Sequence, residues 1–185
     1  MAAVSLVPDP AFPPQRIEEV LASLERVSPT GLRLTFEIIG DTANLVLPPP
    51  APPARADRLW ETTCFELFLK PVHGCGYREL NFSPSGRWAA YDFSAYRAGM
   101  VQAGMPGAPS LELRRSPGRL TASIDLSIDL HQEPYRYGLC AILEEQGGHK
   151  SYWTHKCGPG PPDFHHPACF EIDLPPAPAT QSPRT

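Results

Sequence analysis

The chain has 185 residues, enough for one domain and scarcely two, and its 42% hydrophobic and 19% charged content is that of a folded protein. With 16 basic and 20 acidic residues the formal net charge is −4, so there is no basic footprint for a nucleic acid, and no run approaches the ~18 apolar residues of a membrane span. Proline is the outlier at 24 residues, against roughly 5% in ordinary proteins; it cannot donate to a sheet ladder or continue a helix, so short elements and stiff loops are predicted.

In chain order, residues 1–15 have no basic leader region, and Pro8 cuts their apolar stretch. They read as an N-terminal extension and point to cytoplasmic residence. Over Arg16–Val27 two periods compete: Ile17, Val20, Leu21 and Leu24 have helical spacing, whereas Val20, Ala22 and Leu24 alternate as in a strand. Leu32, Leu34, Phe36 and Ile38 alternate cleanly, Asn44–Leu47 is a further strand candidate, and the proline run at 48–53 reads as a surface loop. Phe65, Leu67 and Leu69 then alternate in Cys64–Lys70, followed by predicted strands Tyr77–Phe82 and Arg87–Phe93. Leu120, Ala122, Ile124 and Leu126 share a face, and Arg136–Glu144, His149–Trp153 and Cys169–Leu174 complete the set. Many short strands between turn signals predict an all-β, single-domain, two-sheet antiparallel β-sandwich of jelly-roll type over residues 16–174, with a disordered proline-rich tail at 175–185.

The most informative stretch is residues 59–100. Gly-rich Val72–Gly76 and Asn81-Phe-Ser-Pro-Ser-Gly86 are turns, which makes three antiparallel strands. Symmetric turns would set Glu66 opposite Asn81 and Asn81 opposite Trp88, with Glu79 and Ala90 in the next row of the same face; Phe65, Leu67, Leu69, Leu80, Phe82 and Phe93 would form the apolar reverse face. A carboxylate, an amide and an indole in one row suit a small polar ligand with an apolar flat side, and sugars have that character. Arg97, following Tyr91 and Tyr96, could fork onto a carboxylate of the protein or of a ligand. After Trp153 the stiff Gly158–Pro162 loop leads to Asp163, His165 and His166, which are predicted to gather around the Trp153 indole on the same side as Trp60.

Together, Trp60–Leu69, Glu79–Tyr91, Tyr96–Met100, Ser151-Tyr-Trp153 and Pro162-Asp-Phe-His-His166 resemble the bacterial DOMON-like proteins, which are grouped with the family 9 carbohydrate-binding modules; the similarity spans roughly residues 30–174. The resemblance implies a sandwich that binds its ligand without turning it over, a strand rather than a helix at 16–27, and a pair of aromatic clamps for which Trp60 and Trp153 are the best matches. Relatives in the wider superfamily bind sugars or haem.

The expected function is thus non-catalytic binding of a carbohydrate or similar small molecule, with Trp60, Glu66, Glu79, Asn81, Trp88, Arg97, Trp153, Asp163, His165 and His166 as contacts, no cofactor or metal, and no nucleic-acid or membrane partner. Four alternatives stay open: zinc on His155, Cys157, His165, His166 and Cys169; haem on Met100 or Met105 with a C-terminal histidine; glycoside hydrolysis by Glu66 and Glu79; and an interaction module whose polar face is closed. Five cysteines, Cys64, Cys75, Cys140, Cys157 and Cys169, form an odd set without repeated spacing, so reduced thiols are expected rather than a disulfide framework.

Overall fold

The computed structural model describes residues 3–130, 134–156 and 162–174; Cys157, most of the Gly158–Pro162 loop and the 175–185 tail lie outside the described residues. The chain is mostly β. Along it run β1 (Val4–Pro8), β2 (Ile17–Arg26), β3 (Gly31–Gly40), β4 (Ala54–Arg55), β5 (Cys64–Pro71), β6 (Tyr77–Phe82), β7 (Arg87–Phe93), β8 (Val101–Gln102), β9 (Ser110–Ser116), β10 (Arg119–Ser127), β11 (Tyr135–Glu145), β12 (His149–Thr154) and β13 (Ile172–Asp173).

Hydrogen bonding links them into one continuous path, β4-β7-β6-β5-β11-β12-β1-β2-β3-β10-β9, with β8 on β7 and β13 on β11. The joint is β1. Its Val4–Leu6 pairs with Ala22–Val20 of β2, and its Val7 and Pro8 pair with Thr154 and Trp153 of β12. Residues 1–15, expected as an extension, therefore contribute a strand in the middle of the sheet order. The Arg16–Val27 segment is strand β2, because Val20, Ala22 and Leu24 are needed on one face against the core and only an extended chain puts them there.

The sheet curls so that its two halves face each other. Leu34, Phe36 and Ile38 of β3 and Ile124 of β10 belong to the same buried cluster as Phe65 and Leu67 of β5, Leu80 of β6 and Leu139 of β11. Phe36 stacks on Phe65 with ring centroids 4.8 Å apart. Each of these large side chains contributes on the order of 1.5–3 kcal/mol by leaving water.

Two strand expectations are corrected. Asn44–Leu47 is not a strand: Thr42–Asn44 forms a short 3-10 helix, and only Leu45 bridges to Glu145. Within Cys169–Leu174 a 3-10 helix at Pro167–Cys169, begun by Pro167 and capped by the His166 side chain, leaves only Ile172–Asp173 as strand.

The half built from β5, β6, β7, β11 and β12 is covered on both faces. Its outer face carries a second cluster, with Cys64, Phe68, Tyr77, Tyr91 and Phe93 beneath Cys169 and Phe170. This explains why every residue of CFELFL is buried despite its alternating pattern.

Candidate functional site

The outer face of that half holds a cavity of about 510 Å³. Its floor is set by strand register. Glu66 of β5 lies opposite Asn81 of β6, as the symmetric turn predicts, and Glu79 occupies the next position on the same face. The second hairpin differs by one residue. The Ser83 amide donates to the Arg87 carbonyl and Gly86, at φ 92°, closes the loop, so Phe82 faces Trp88, Asn81 faces Ala89 and Glu79 faces Tyr91.

A one-residue shift exchanges the faces of a strand. Trp88 and Ala90 consequently turn to the main core, while Tyr91 and Phe93 join the site. Trp88 is corrected as a ligand contact, and Phe93 as a member of the reverse face. The Arg55 guanidinium lies 5.7 Å from the Trp88 ring and 5.4 Å from that of Tyr91, which donates a 2.6 Å hydrogen bond to Asp57. Trp60, on a short 3-10 helix before β5, is 37% exposed at the mouth and meets Tyr91 edge-on at 6.2 Å.

The same alternation decides the far wall. Trp153 is 2% exposed within the main core and donates from Nε1 to Ser151 Oγ at 2.9 Å. Its neighbour Tyr152 lines the cavity instead, beside Phe164, with Ile142 from β11 next to it. The expectation that Trp153 packs with Asp163 and the histidines on the side of Trp60 is therefore corrected: the aromatic residue in that place is Tyr152.

The covering segment is pinned as a polar cluster. Asp163 Oδ1 accepts from Arg97 Nη2 at 2.7 Å, from Arg97 Nε at 3.2 Å and from the His165 amide at 3.1 Å, while Tyr96 donates to its Oδ2. Burial works to raise the Asp163 pKa, but these hydrogen bonds and the Arg97 charge win and hold it below the ordinary carboxylate value. Asp163 is thus satisfied by protein and does not line the cavity; neither does His166, whose Nδ1 accepts the Ala168 amide.

His165 does line it. The Tyr77 hydroxyl accepts the Arg97 amide and is hydrogen-bonded to His165 Nδ1, 2.7 Å away, while His165 Nε2 lies 3.6 Å from Glu79 Oε2. Burial, aided by the Arg97 charge, pushes the His165 pKa down to about 4, so the ring is neutral at pH 7.

Glu66 and Glu79 are 3% and 5% exposed. Asn81 Nδ2 donates to Glu79 Oε1 at 2.7 Å, which commits Asn81, fully buried, to positioning Glu79. Glu66 has no hydrogen-bond partner among the described residues and lines the cavity. Burial raises its pKa well above the ordinary value, and the neighbouring Glu79 raises it further. Burial also raises Glu79, against the opposing pull of the Asn81 hydrogen bond and Arg97. The same causes, burial first and then the Glu66 charge, push the Cys64 thiol up and make it a poor nucleophile.

These shifts fix a sign. A folded-state pKa raised above the unfolded 4.5 means that the stability Glu66 lends is complete below that pH and is lost as the pH rises through the folded value. His165 acts oppositely, its contribution being complete above 6.5 and lost toward about 4. Glu66→Gln should therefore gain stability over the wild type progressively as the pH is raised from about 5 to 8, measured by urea denaturation. A difference that does not vary with pH would contradict the burial of an ionisable Glu66.

Among the described residues no group of three or more His, Cys, Asp or Glu is placed to hold a metal ion, and no described helix is long and apolar enough to cross a membrane. Of the sequence-predicted contacts, the fold brings Trp60, Glu66, Glu79, Arg97 and His165 to one cavity. Asn81 and Asp163 support it from behind, and Trp88, Trp153 and His166 stand away from it. Sequence reasoning missed Tyr91, Phe93, Tyr152 and Phe164 as lining residues. The signal for Tyr91 was Gly86 at the end of the Ser-Pro-Ser-Gly loop, since a left-handed glycine after a turn lengthens the loop and shifts the register.

No protein-family model matches the sequence, and no curated protein matches it. Among solved structures, the chain is similar to a protein from Bacteroides uniformis provisionally assigned to carbohydrate binding, with a TM-score of 0.66 and 17% identity over 93% of this chain and 84% of that one. Two structures of a family 9 carbohydrate-binding module from Caldicellulosiruptor kristjanssonii also align at 10% identity. The glucose complex has a TM-score of 0.47 over 80% of this chain and 71% of that one, and the cellotriose complex 0.49 over 80% and 70%. The first likeness shows that the strands described above follow a fold already seen in the Bacteroides protein.

Proposed function

We propose that the protein binds a small carbohydrate in the Glu66–Trp60 cavity without chemically changing it. The observation that carries this reading is Glu66, a buried carboxyl group that lacks a hydrogen-bond partner among the described residues and lies on the floor of an aromatic-walled cavity. Because Glu66 lines the cavity, a ligand hydroxyl can hydrogen-bond to it while the ligand's C–H face rests on Trp60 or Tyr152. A non-catalytic role is supported by the placement of Glu66 and Glu79 on one sheet face, beneath the ligand space, whereas glycosidase carboxylates flank the scissile bond.

The same reading groups the chain with the DOMON-like and family 9 sandwiches and takes the facing halves, joined through Phe36 and Phe65, as the two layers. An exposed, unpaired Cys75 suits a reducing cytoplasm. The haem alternative has one observation behind it, that Met100 and His165 line the same cavity. Against it, His165 Nδ1 is hydrogen-bonded to Tyr77 and its Nε2 faces Glu79.

A thermal-shift screen of neutral and charged sugars tests the proposal, because a ligand at 100 times its Kd adds about 2.7 kcal/mol of stability. Trp60→Ala should weaken the binding of any hit by about 1–3 kcal/mol and, being at the surface, alter stability by about 0.5 kcal/mol or less. Unchanged affinity in that variant would remove Trp60 from the site.

A further inference from the structure

The cavity has two carboxyl groups at its floor and one guanidinium, that of Arg97, in its lining. Glu66 and Glu79 are both more than nine-tenths buried, and Glu66 has no hydrogen-bond partner among the described residues. Arg97 directs its guanidinium to Asp163 through Nε and Nη2. His165 is hydrogen-bonded through Nδ1 to Tyr77 and stays uncharged, with Nε2 at 3.6 Å from Glu79. Two carboxyl groups on adjacent positions of one buried face cannot both ionise without strong repulsion where the effective dielectric is low, and Glu66 is accordingly held toward its protonated form. A neutral ligand leaves that protonation balance as it is. A ligand carrying a positive charge favours the ionised carboxylates and is attracted by them, and the electron-rich rings of Trp60, Tyr91 and Tyr152 along the walls favour the same charge.

We propose that the cavity selects a sugar bearing a protonated amine, an amino sugar of the glucosamine kind, with its ammonium group seated against Glu66 and Glu79 and its ring against the aromatic wall. The inference rests on the carbohydrate-binding reading and narrows it to a cationic class. An N-acetylated sugar has lost the charge and with it the preference.

Isothermal titration with glucosamine, glucose and N-acetylglucosamine at about pH 6.5, where an amine of this type is protonated, separates the two levels of the argument. Glucosamine should bind the wild type at least tenfold more tightly than either neutral sugar, and that ratio should fall below about threefold in Glu66→Gln and in Glu79→Gln. Melting curves confirm that each variant is folded, and having two variants keeps the test decisive if one of them is not. Glucose or N-acetylglucosamine binding as tightly as glucosamine would overturn the amino-sugar inference while leaving carbohydrate binding standing. A glucosamine preference that survives in both Gln variants would overturn the Glu66–Glu79 seat. Absence of binding by these three and by every other sugar in the wider screen would overturn both readings.

Discussion

Trp153→Ala should lower the stability of the protein by about 3–5 kcal/mol and leave ligand affinity per folded molecule unaltered. The indole is among the largest fully buried side chains and belongs to the cluster that joins the two halves of the sheet. It stands on β12 directly beside β1, where Trp153 pairs with Pro8, so its removal opens a cavity next to the strand on which the continuity of the sheet depends. It also strips the buried Ser151 hydroxyl of the Nε1 donor at 2.9 Å. Chemical denaturation and titration of the same variant separate the effects. A stability loss under about 1 kcal/mol together with weakened binding would place Trp153 in the site after all.

Gly138→Ala should be the most damaging single methyl group on the site half. Gly138 lies in β11 opposite Phe68, on the outer face, where a Cβ would come 2.2 Å from the Cys169 carbonyl oxygen and 3.1 Å from its carbon. Both atoms are backbone, so relief requires the Pro167–Cys169 turn to lift from the sheet, and with it Phe170, which stacks on Phe68 at 5.3 Å. Overpacking of a core typically costs about 1–3 kcal/mol, and contact with backbone puts this site at the upper end. Because Phe164 and His165 lie on the same segment, ligand affinity should fall as well, at least tenfold. A variant that melts like the wild type and binds normally would show that the covering segment does not rest on β11 as described.

Much of the fold was legible in alternation. Leu32, Leu34, Phe36 and Ile38, and likewise Leu120, Ala122, Ile124 and Leu126, are all buried as their period of two predicts. These strands have one wet face, so hydropathy distinguishes inside from outside. The site half is different. In β5, β6 and β7 both faces are covered, hydropathy no longer tells them apart, and the assignment passes to turn length. The Ser83–Arg87 loop is one step away from the symmetric turn, and that step sent Trp88 inward and Tyr91 outward. Similarly, Tyr152 and Trp153 are both aromatic neighbours on one strand, and only the pairing of Trp153 with Ala141 reveals which of them faces the core. The Val4–Pro8 strand was hidden for another reason: five residues ending in proline carry little pattern of their own, and their place is set by partners distant in sequence.

The central claim, that one cavity floored by Glu66 and Glu79 receives a small sugar, is tested most directly by amide and indole chemical-shift mapping during titration with whichever sugar stabilises the protein most. The three tryptophans supply internal controls, since Trp60 lines the cavity while Trp88 and Trp153 lie on the core side of their strands. The account predicts saturable shifts at the Trp60 indole and at the amides of Glu66, Glu79, Tyr91, Arg97, Tyr152 and His165, with the Trp88 and Trp153 indoles still. Shifts centred on the Trp88 or Trp153 indoles, with Trp60 and the Glu66 strand unmoved, would contradict it.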